Sequence, residues 1–400
     1  MRSQSFGFGI DQIVRGHARL PSDRRYGLLT NDAARTADAP HTTSRQALLL
    51  AGVPLARLFS PEHGIGAAAD DGAIVPDGVD PTTQLEVVSL YGERMRPERA
   101  MLDGLDAVLI DLPDIGARFY TFIWSMSYML EACAEARIPV WILDRPNPIG
   151  GDLAMAEGPM LDVDSCASFL GRHPVPIRHS LTIGELARLW NDEQRLQAEM
   201  HVVPAVGWKR SDHQPATGAP FVPTSPAMSR YAGALFYPGI CLFEATNVSV
   251  GRGTRRPFEQ IGAPWLDAAA LHAAFTGLKL PGVASEPVSF TPSIPPHSGQ
   301  RCHGIRLKII APESLRPVEL GLLLLAIAIE HAQGAFQWLR YPTAANPQGD
   351  RHFELLVGRC DVVEMLENRH QDVRQRIQSL IAVPDWQGRV QPHLIYSDAN

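Results

Sequence analysis

Short apolar runs alternate with helical stretches through the first half of the chain, the pattern of a parallel sheet covered by helices. Tyr26 to Thr30 reads as a strand and His41 to Ala51 as the helix after it, with Thr42 or Thr43 near its start. Leu55 to Phe59 is a second strand, and Glu98 to Leu105 is helical. Ala107 to Leu112 is a continuous apolar strand of the kind buried on both faces. Phe119 to Ala136 forms a long helix, followed by the strand Val140 to Leu143. Thr182-Ile-Gly-Glu185 is a capping box: the threonine hydroxyl accepts from the backbone near Glu185, whose carboxylate reaches back. That helix runs to about Glu193, with His201 to Val203 a further strand.

The pattern then changes. Residues 207 to 264 are rich in Gly and Pro and carry few periodic elements. Beyond them come a helix near Asp267 to Phe275, alternating segments at Val288 to Phe290 and His303 to Ile309, an apolar helix near Val318 to His331, and a helical tail. The expected architecture is therefore α/β: a Rossmann-like parallel-sheet domain over residues 1–262, then a smaller α+β domain over 263–400 that contributes to the cleft. The chain's 400 residues suggest two domains, and 45% hydrophobic with 20% charged residues is the balance of a folded globular protein.

Charge and cysteine usage narrow the class. A net charge of -7 argues against a nucleic-acid partner, which needs clustered positive charge. Arg252, Arg255 and Arg256 do cluster, but in a Gly-rich stretch equally suited to a carboxylate ligand. Five dispersed cysteines without a Cys-x-x-Cys spacing fit a reducing compartment better than a disulfide framework or a zinc site. Met1 to Gly16 lacks a basic segment followed by an apolar run, so no signal peptide is expected. The longest apolar run, Leu320 to Ile329, is too short to span a bilayer. Cytoplasmic residence without a membrane partner is the expectation, with export left open; oligomeric state is not legible.

In an open parallel sheet, ligands bind beyond the carboxyl ends of the strands. Four consecutive strand ends carry polar residues there: Thr30-Asn31; Ser60-Pro-Glu-His-Gly64; Asp111 and Asp114 with Gly116, Arg118 and Tyr120; and Asp144-Arg-Pro-Asn-Pro148. Each has a plainer explanation. Glu62 fits a helix cap, His63 a structural histidine, and Asp111 a strand-end acceptor. Asp114 before Gly116 fits a turn, Arg118 fits a partner for Asp114, and Asp144 with Arg145 fits an ion pair. The joint pattern carries more weight than any member. A second rich region, Tyr237 to Ser249, contains Glu244 and Asn247 and leads into Gly251-Arg-Gly-Thr254. No dinucleotide fingerprint, Walker motif or Gly-x-Ser-x-Gly elbow occurs, and the fourteen histidines show no ligand spacing on one element. No metal and no cofactor are expected. Carboxylate chemistry supported by amide, arginine and tyrosine remains.

Four segments in order carry a resemblance: Ser60-Pro-Glu-His-Gly64, Gly116-Ala-Arg-Phe-Tyr-Thr121, Leu143-Asp-Arg-Pro-Asn-Pro-Ile-Gly-Gly151, and Cys241 to Thr254. Together they closely resemble the NamZ-like exo-β-N-acetylmuramidases, glycoside hydrolase family 171, over about residues 25 to 360. The resemblance implies removal of N-acetylmuramic acid from the non-reducing end of peptidoglycan fragments, and it makes Glu62 the leading catalytic candidate. Three positions depart from the family pattern: Gly66 where many relatives have arginine, Pro113 where glutamine is usual, and Arg255 in place of a commonly acidic or neutral residue.

Glycoside cleavage needs a proton for the leaving oxygen and stabilisation of an oxocarbenium-like transition state. In the scheme these residues suggest, Glu62 is the general acid, Asp114 or Glu244 activates water, and Tyr120 supports charge or acts as nucleophile. Arg118 and Arg252 are candidates for the lactyl carboxylate, which arginine grips bidentately. Asn147 and Asn247 are candidates for sugar hydroxyls or the N-acetyl group, and Asn31, His63 and Arg145 complete the expected binding set. The alternatives are a glycosidase for a related amino sugar and a non-hydrolytic muropeptide-binding protein.

Overall fold

The computed structural model describes residues 5–368 and 372–397. The outermost ends of both expected domains, and a short stretch of the helical tail, lie outside the described residues. Seven strands form the first sheet: β1 (Tyr26–Leu29), β2 (Leu55–Ser60), β3 (Gly78–Val79), β4 (Glu86–Ser89), β5 (Ala107–Ile110), β6 (Val140–Leu143) and β7 (Met200–Val203). Their spatial order is β3-β4-β2-β1-β5-β6-β7, all parallel except β3. β1 and β5 are buried at every position, which is why their runs are continuously apolar rather than alternating.

The register matters for function. Leu29 pairs with both Phe59 and Ile110, Ile110 with Ile142, and Ile142 with Val202. The loops leaving these strands therefore emerge level along one edge. From β1 the chain builds outward through β2 to β4, then returns to place β5 on the other side of β1. The switch point lies between β1 and β5, where a ligand crevice is expected.

The second sheet is antiparallel, ordered β8 (Gln260–Ala263), β10 (Cys302–Ile309), β9 (Val283–Phe290). The expected boundary at 262/263 falls inside β8. The Gly- and Pro-rich stretch before it, which shows little periodicity, holds the helix Tyr231–Ile240. This helix crosses Pro317–His331 very closely: a Cβ at Gly239 would sit 1.8 Å from the Pro317 carbonyl oxygen, and one at Gly321 2.4 Å from the Gly239 Cα. Only glycine on both sides permits the approach. One buried apolar cluster runs from β5 and helix Phe122–Ala136 through Tyr231–Ile240 into Pro317–His331, so the core continues across both sheets. Among the described residues, no helix is long and apolar enough to cross a membrane.

Most expected elements form. The capping box is present, with the Thr182 hydroxyl accepting from Glu185 N–H at 3.2 Å and the Glu185 carboxylate accepting from Thr182 N–H at 3.0 Å. The helix expected over Glu98 to Leu105 is a single 3-10 turn, Arg99–Leu102. β3 and β4 went unrecognised in the sequence: β3 is only two residues long and exposed, and β4 four residues.

Candidate active site

Glu62 follows β2 on a tight turn in which Gly64 N–H donates to the Pro61 carbonyl at 3.0 Å. His63 and Gly64 both take left-handed backbone, at φ 67 and 69, a conformation histidine tolerates better than most residues. The turn aims the Glu62 carboxylate into a small cavity between the two sheets' units. Glu62 is buried, and both of its oxygens are held. Oε1 accepts from Gly72 N–H at 3.0 Å, and Oε2 from the Thr121 hydroxyl at 2.5 Å. The Tyr91 hydroxyl also faces it; burial first, and then the Glu62 charge, push that phenol far above its ordinary value.

The cavity's other wall comes from the second half of the chain. Arg252 bridges two carboxylates, Glu244 through Nε and Asp71 Oδ1 at 3.0 Å, with its guanidinium over the Phe258 ring at 5.0 Å. Tyr341 donates to Asp71 Oδ2 at 2.7 Å and stacks on His352. Burial works against the Asp71 charge, but Arg252, Tyr341 and His63 together hold its carboxyl below the usual value. Glu244 moves the opposite way. Its burial raises it, Arg252 opposes that, and the charge of Asp71 adds to the rise. Two carboxylates sharing one guanidinium are thus driven apart in acidity, Glu244 upward and Asp71 downward.

Glu62, His63 and Asp71 each bring one possible metal-ligand atom within 4.8 Å of one another. The fit to a cation is poor. Asp71 has an arginine on one oxygen and a phenol on the other, Glu62 has donors on both, and the His63 Nδ1 lies 2.8 Å from the Ala69 carbonyl. These carboxylates are answered by hydrogen-bond donors.

The remaining expected residues are distributed elsewhere. Asp114 lies over a second pocket at the β1–β5 switch point. Its Oδ2 accepts from Gly116 N–H at 2.9 Å and meets His179 Nε2 at 3.2 Å, while its buried Oδ1 has no protein partner. Tyr120 donates to Thr224 on that pocket's wall, and burial, joined by the charges of Glu62 and Asp114, raises its hydroxyl. Arg145 also reaches this pocket but forms a two-pronged ion pair with Asp111, the partner at the neighbouring strand end, rather than with Asp144.

Four residues are engaged in internal bonds. Arg118 is fully buried and pairs not with Asp114 but with the carbonyls of Pro159, Val175 and Leu356 at 2.8 to 2.9 Å. Burial lowers its pKa to about 9. Asn147 bonds Leu181 and Ile149, and Asn247 bonds Ala335 and Gln337. Asn31 accepts from Ala33 N–H at 3.1 Å with its buried Nδ2 unpartnered. Sequence reasoning missed Asp71, Tyr91, Thr121, Tyr237, Tyr341 and His352 in the cavity wall. Thr121 and Tyr237 stood inside quoted motifs; the others carried no local signal.

Fold and site together define a two-part α/β protein with a carboxylate-lined cavity at the seam. Family models for the exo-β-N-acetylmuramidase NamZ match twice, the N-terminal model over residues 26–232 and the C-terminal model over 235–396. The chain belongs to the NamZ exo-β-N-acetylmuramidase family. It is 39% identical over 316 residues to the peptidoglycan β-N-acetylmuramidase NamZ of Bacillus subtilis, covering 78% of this chain and 75% of that one. Two crystal structures of DUF1343 family proteins from Bacteroides fragilis share the fold. One has a TM-score of 0.83 at 28% identity, covering 98% of this chain and 99% of that one. The other has a TM-score of 0.76 at 27% identity, covering 99% and 100%.

Proposed function

We propose that this protein is an exo-acting glycoside hydrolase that releases N-acetylmuramic acid from the non-reducing end of peptidoglycan fragments. Family membership supports the reaction class. The observation that carries the reading is Glu62, held on two sides in a cavity that also receives Glu244 and Asp71.

Glu62 exchanges the proton with the glycosidic oxygen. Gly72 N–H can only donate, so it fixes Oε1 as an acceptor; the Thr121 hydroxyl both donates and accepts. The proton therefore resides on Oε2, with Thr121 reversing its bond as the carboxyl gains or loses it. Asp71, Glu244 and Arg252 form a cluster with two acidic groups to one cation, suited to a transition state that develops positive charge on the sugar ring. Glu244 is the candidate for handling the attacking water's proton. Asp114 lines the neighbouring pocket and Tyr120 braces its wall through Thr224, where hydroxyl or amide donors of the fragment would bind. Five dispersed cysteines without a Cys-x-x-Cys spacing support cytoplasmic residence.

One observation favours a second reading, a glycosidase for an amino sugar without the lactyl ether. Arg252 is already shared by two of the cavity's carboxylates, and among the described residues lining the cavity none is a lysine or arginine that could take a third. Parallel assays on chromogenic N-acetylmuramic acid and N-acetylglucosamine glycosides separate the two. Faster turnover of the lactyl-bearing substrate is expected; faster turnover of the other would move the assignment to the second reading. Product analysis on a defined muropeptide disaccharide tests the exo mode, with free N-acetylmuramic acid as the expected first product.

A further inference from the structure

Two of the five cysteines face each other across the seam between the two halves of the chain. Cys166 ends the short helix Val163–Cys166 and is fully buried, while Cys360 is exposed just past the helix His352–Val357. Their sulfurs are 3.6 Å apart, across a sequence separation of 194 residues. Arg351 donates to the Cys360 sulfur at 2.8 Å and to the Ser165 carbonyl at 3.1 Å. Two nearby bonds hold the Cys360 segment to the first half of the chain: Asp162 N–H donates to the Gly358 carbonyl at 3.0 Å, and the Arg118 guanidinium to the Leu356 carbonyl at 2.8 Å.

The geometry points to a peroxide-sensitive thiol pair that forms a disulfide strap between the two units. The division of labour follows from exposure and charge. Cys360 meets solvent, and Ser165, Cys166 and the Arg351 guanidinium favour its thiolate; Cys166 is buried, which disfavours its own ionisation. A low-lying, accessible thiolate beside a resolving thiol is the arrangement of a redox-responsive cysteine. The other three thiols are buried, and burial pushes Cys133 up to about 12 and Cys302 up to about 11.

The oxidant is a hydroperoxide. The Cys360 thiolate attacks its terminal oxygen, the O–O bond breaks, and the alkoxide or hydroxide that leaves takes up a proton. The Cys360 sulfur is thereby oxidised to a sulfenic acid. Cys166 then loses its proton and attacks that sulfur; the S–S bond forms, the S–O bond breaks, and hydroxide leaves as water. Two thiols and one hydroperoxide give one disulfide, one alcohol or water, and one water. Closing the sulfurs from 3.6 Å to bonding distance needs a movement of roughly 1.5 Å, within the reach of a side chain on the exposed residue 360. The strap would clamp helix His352–Val357, whose His352 and Leu356 line the catalytic cavity, against the first unit. The inference does not depend on which sugar the cavity takes.

The test treats the full-length reduced protein with one to two equivalents of hydrogen peroxide, then counts thiols after denaturation and maps linked peptides. The count is expected to fall from five to three with a single Cys166–Cys360 linkage, restored by dithiothreitol. The oxidised form should melt higher, on the order of 5 °C. Cys360→Ser should keep its four thiols under the same treatment, and Cys166→Ser should accumulate a sulfenic acid at Cys360 that dimedone traps. Five thiols surviving peroxide, linkage of any other pair, or equal peroxide consumption by Cys360→Ser and the unsubstituted protein would overturn the proposal.

Discussion

Arg118→Met separates the two roles open to a motif arginine. The side chain donates to the carbonyls of Pro159, Val175 and Leu356, drawn from three distant segments, and is fully buried. Methionine fills much of the same length but donates nothing. Three carbonyls would then lie in the interior without their donor, each at about 1–3 kcal/mol. Removing the guanidinium also relieves its own desolvation, which is large enough to bring its pKa down to about 9. The terms oppose one another, and a net destabilisation of roughly 2–4 kcal/mol remains, similar to breaking other buried charged contacts. Urea unfolding measures that loss directly as a lowered midpoint at unchanged slope. Steady-state kinetics on glycosides with and without the lactyl ether measure the other role. The variant is expected to keep the ratio of kcat/KM between the two substrates. An unchanged unfolding midpoint combined with a selective rise in KM for the lactyl substrate would refute the structural assignment of Arg118.

Two further outcomes follow from the same geometry. Thr121→Val keeps the shape of the residue but removes the hydroxyl that reverses its bond with Glu62; kcat should fall about 10- to 100-fold, with stability lowered by about 1–3 kcal/mol because a buried Glu62 oxygen loses its donor, and unaltered kcat would rule out the proton-placing role. Glu157 is fully buried, accepting from Val318 and Glu319 N–H at the start of a long helix, and burial raises its pKa to about 7 from 4.5. Because the folded state holds this proton more tightly, its contribution is fully present below pH 4.5 and is lost as pH rises through 7, by about 3 kcal/mol. Glu157→Gln should be less stable at low pH and show a flatter decline over that window in parallel denaturation series; an identical pH slope in both proteins would contradict the assignment.

The parallel sheet was legible because β1, β5 and β6 are short apolar runs bounded by polar turns, and because the capping box at Thr182 marks a helix start by chemistry alone. The helix Tyr231–Ile240 was not. It is apolar all round and contains Pro238, so it has neither amphipathic periodicity nor an uninterrupted propensity to betray it. The site divided along similar lines. Glu62 and Glu244 were found because motifs surround them. Asp71, Tyr341 and His352 come from segments whose only common feature is that the fold brings them together. Arg118, Asn147 and Asn247 share those motifs, yet their polar groups satisfy backbone that tight turns and crossing loops leave unpaired. A motif records such structural bonds as strongly as it records chemistry.

The central claim is that the Glu62 carboxyl moves the proton of glycosidic cleavage. Glu62→Gln retains the shape and one acceptor oxygen for Gly72 while abolishing proton exchange. With folding verified by an unchanged melting profile, kcat/KM on a chromogenic N-acetylmuramic acid glycoside should fall by at least about 100-fold. Retention of full activity by that variant would contradict the account.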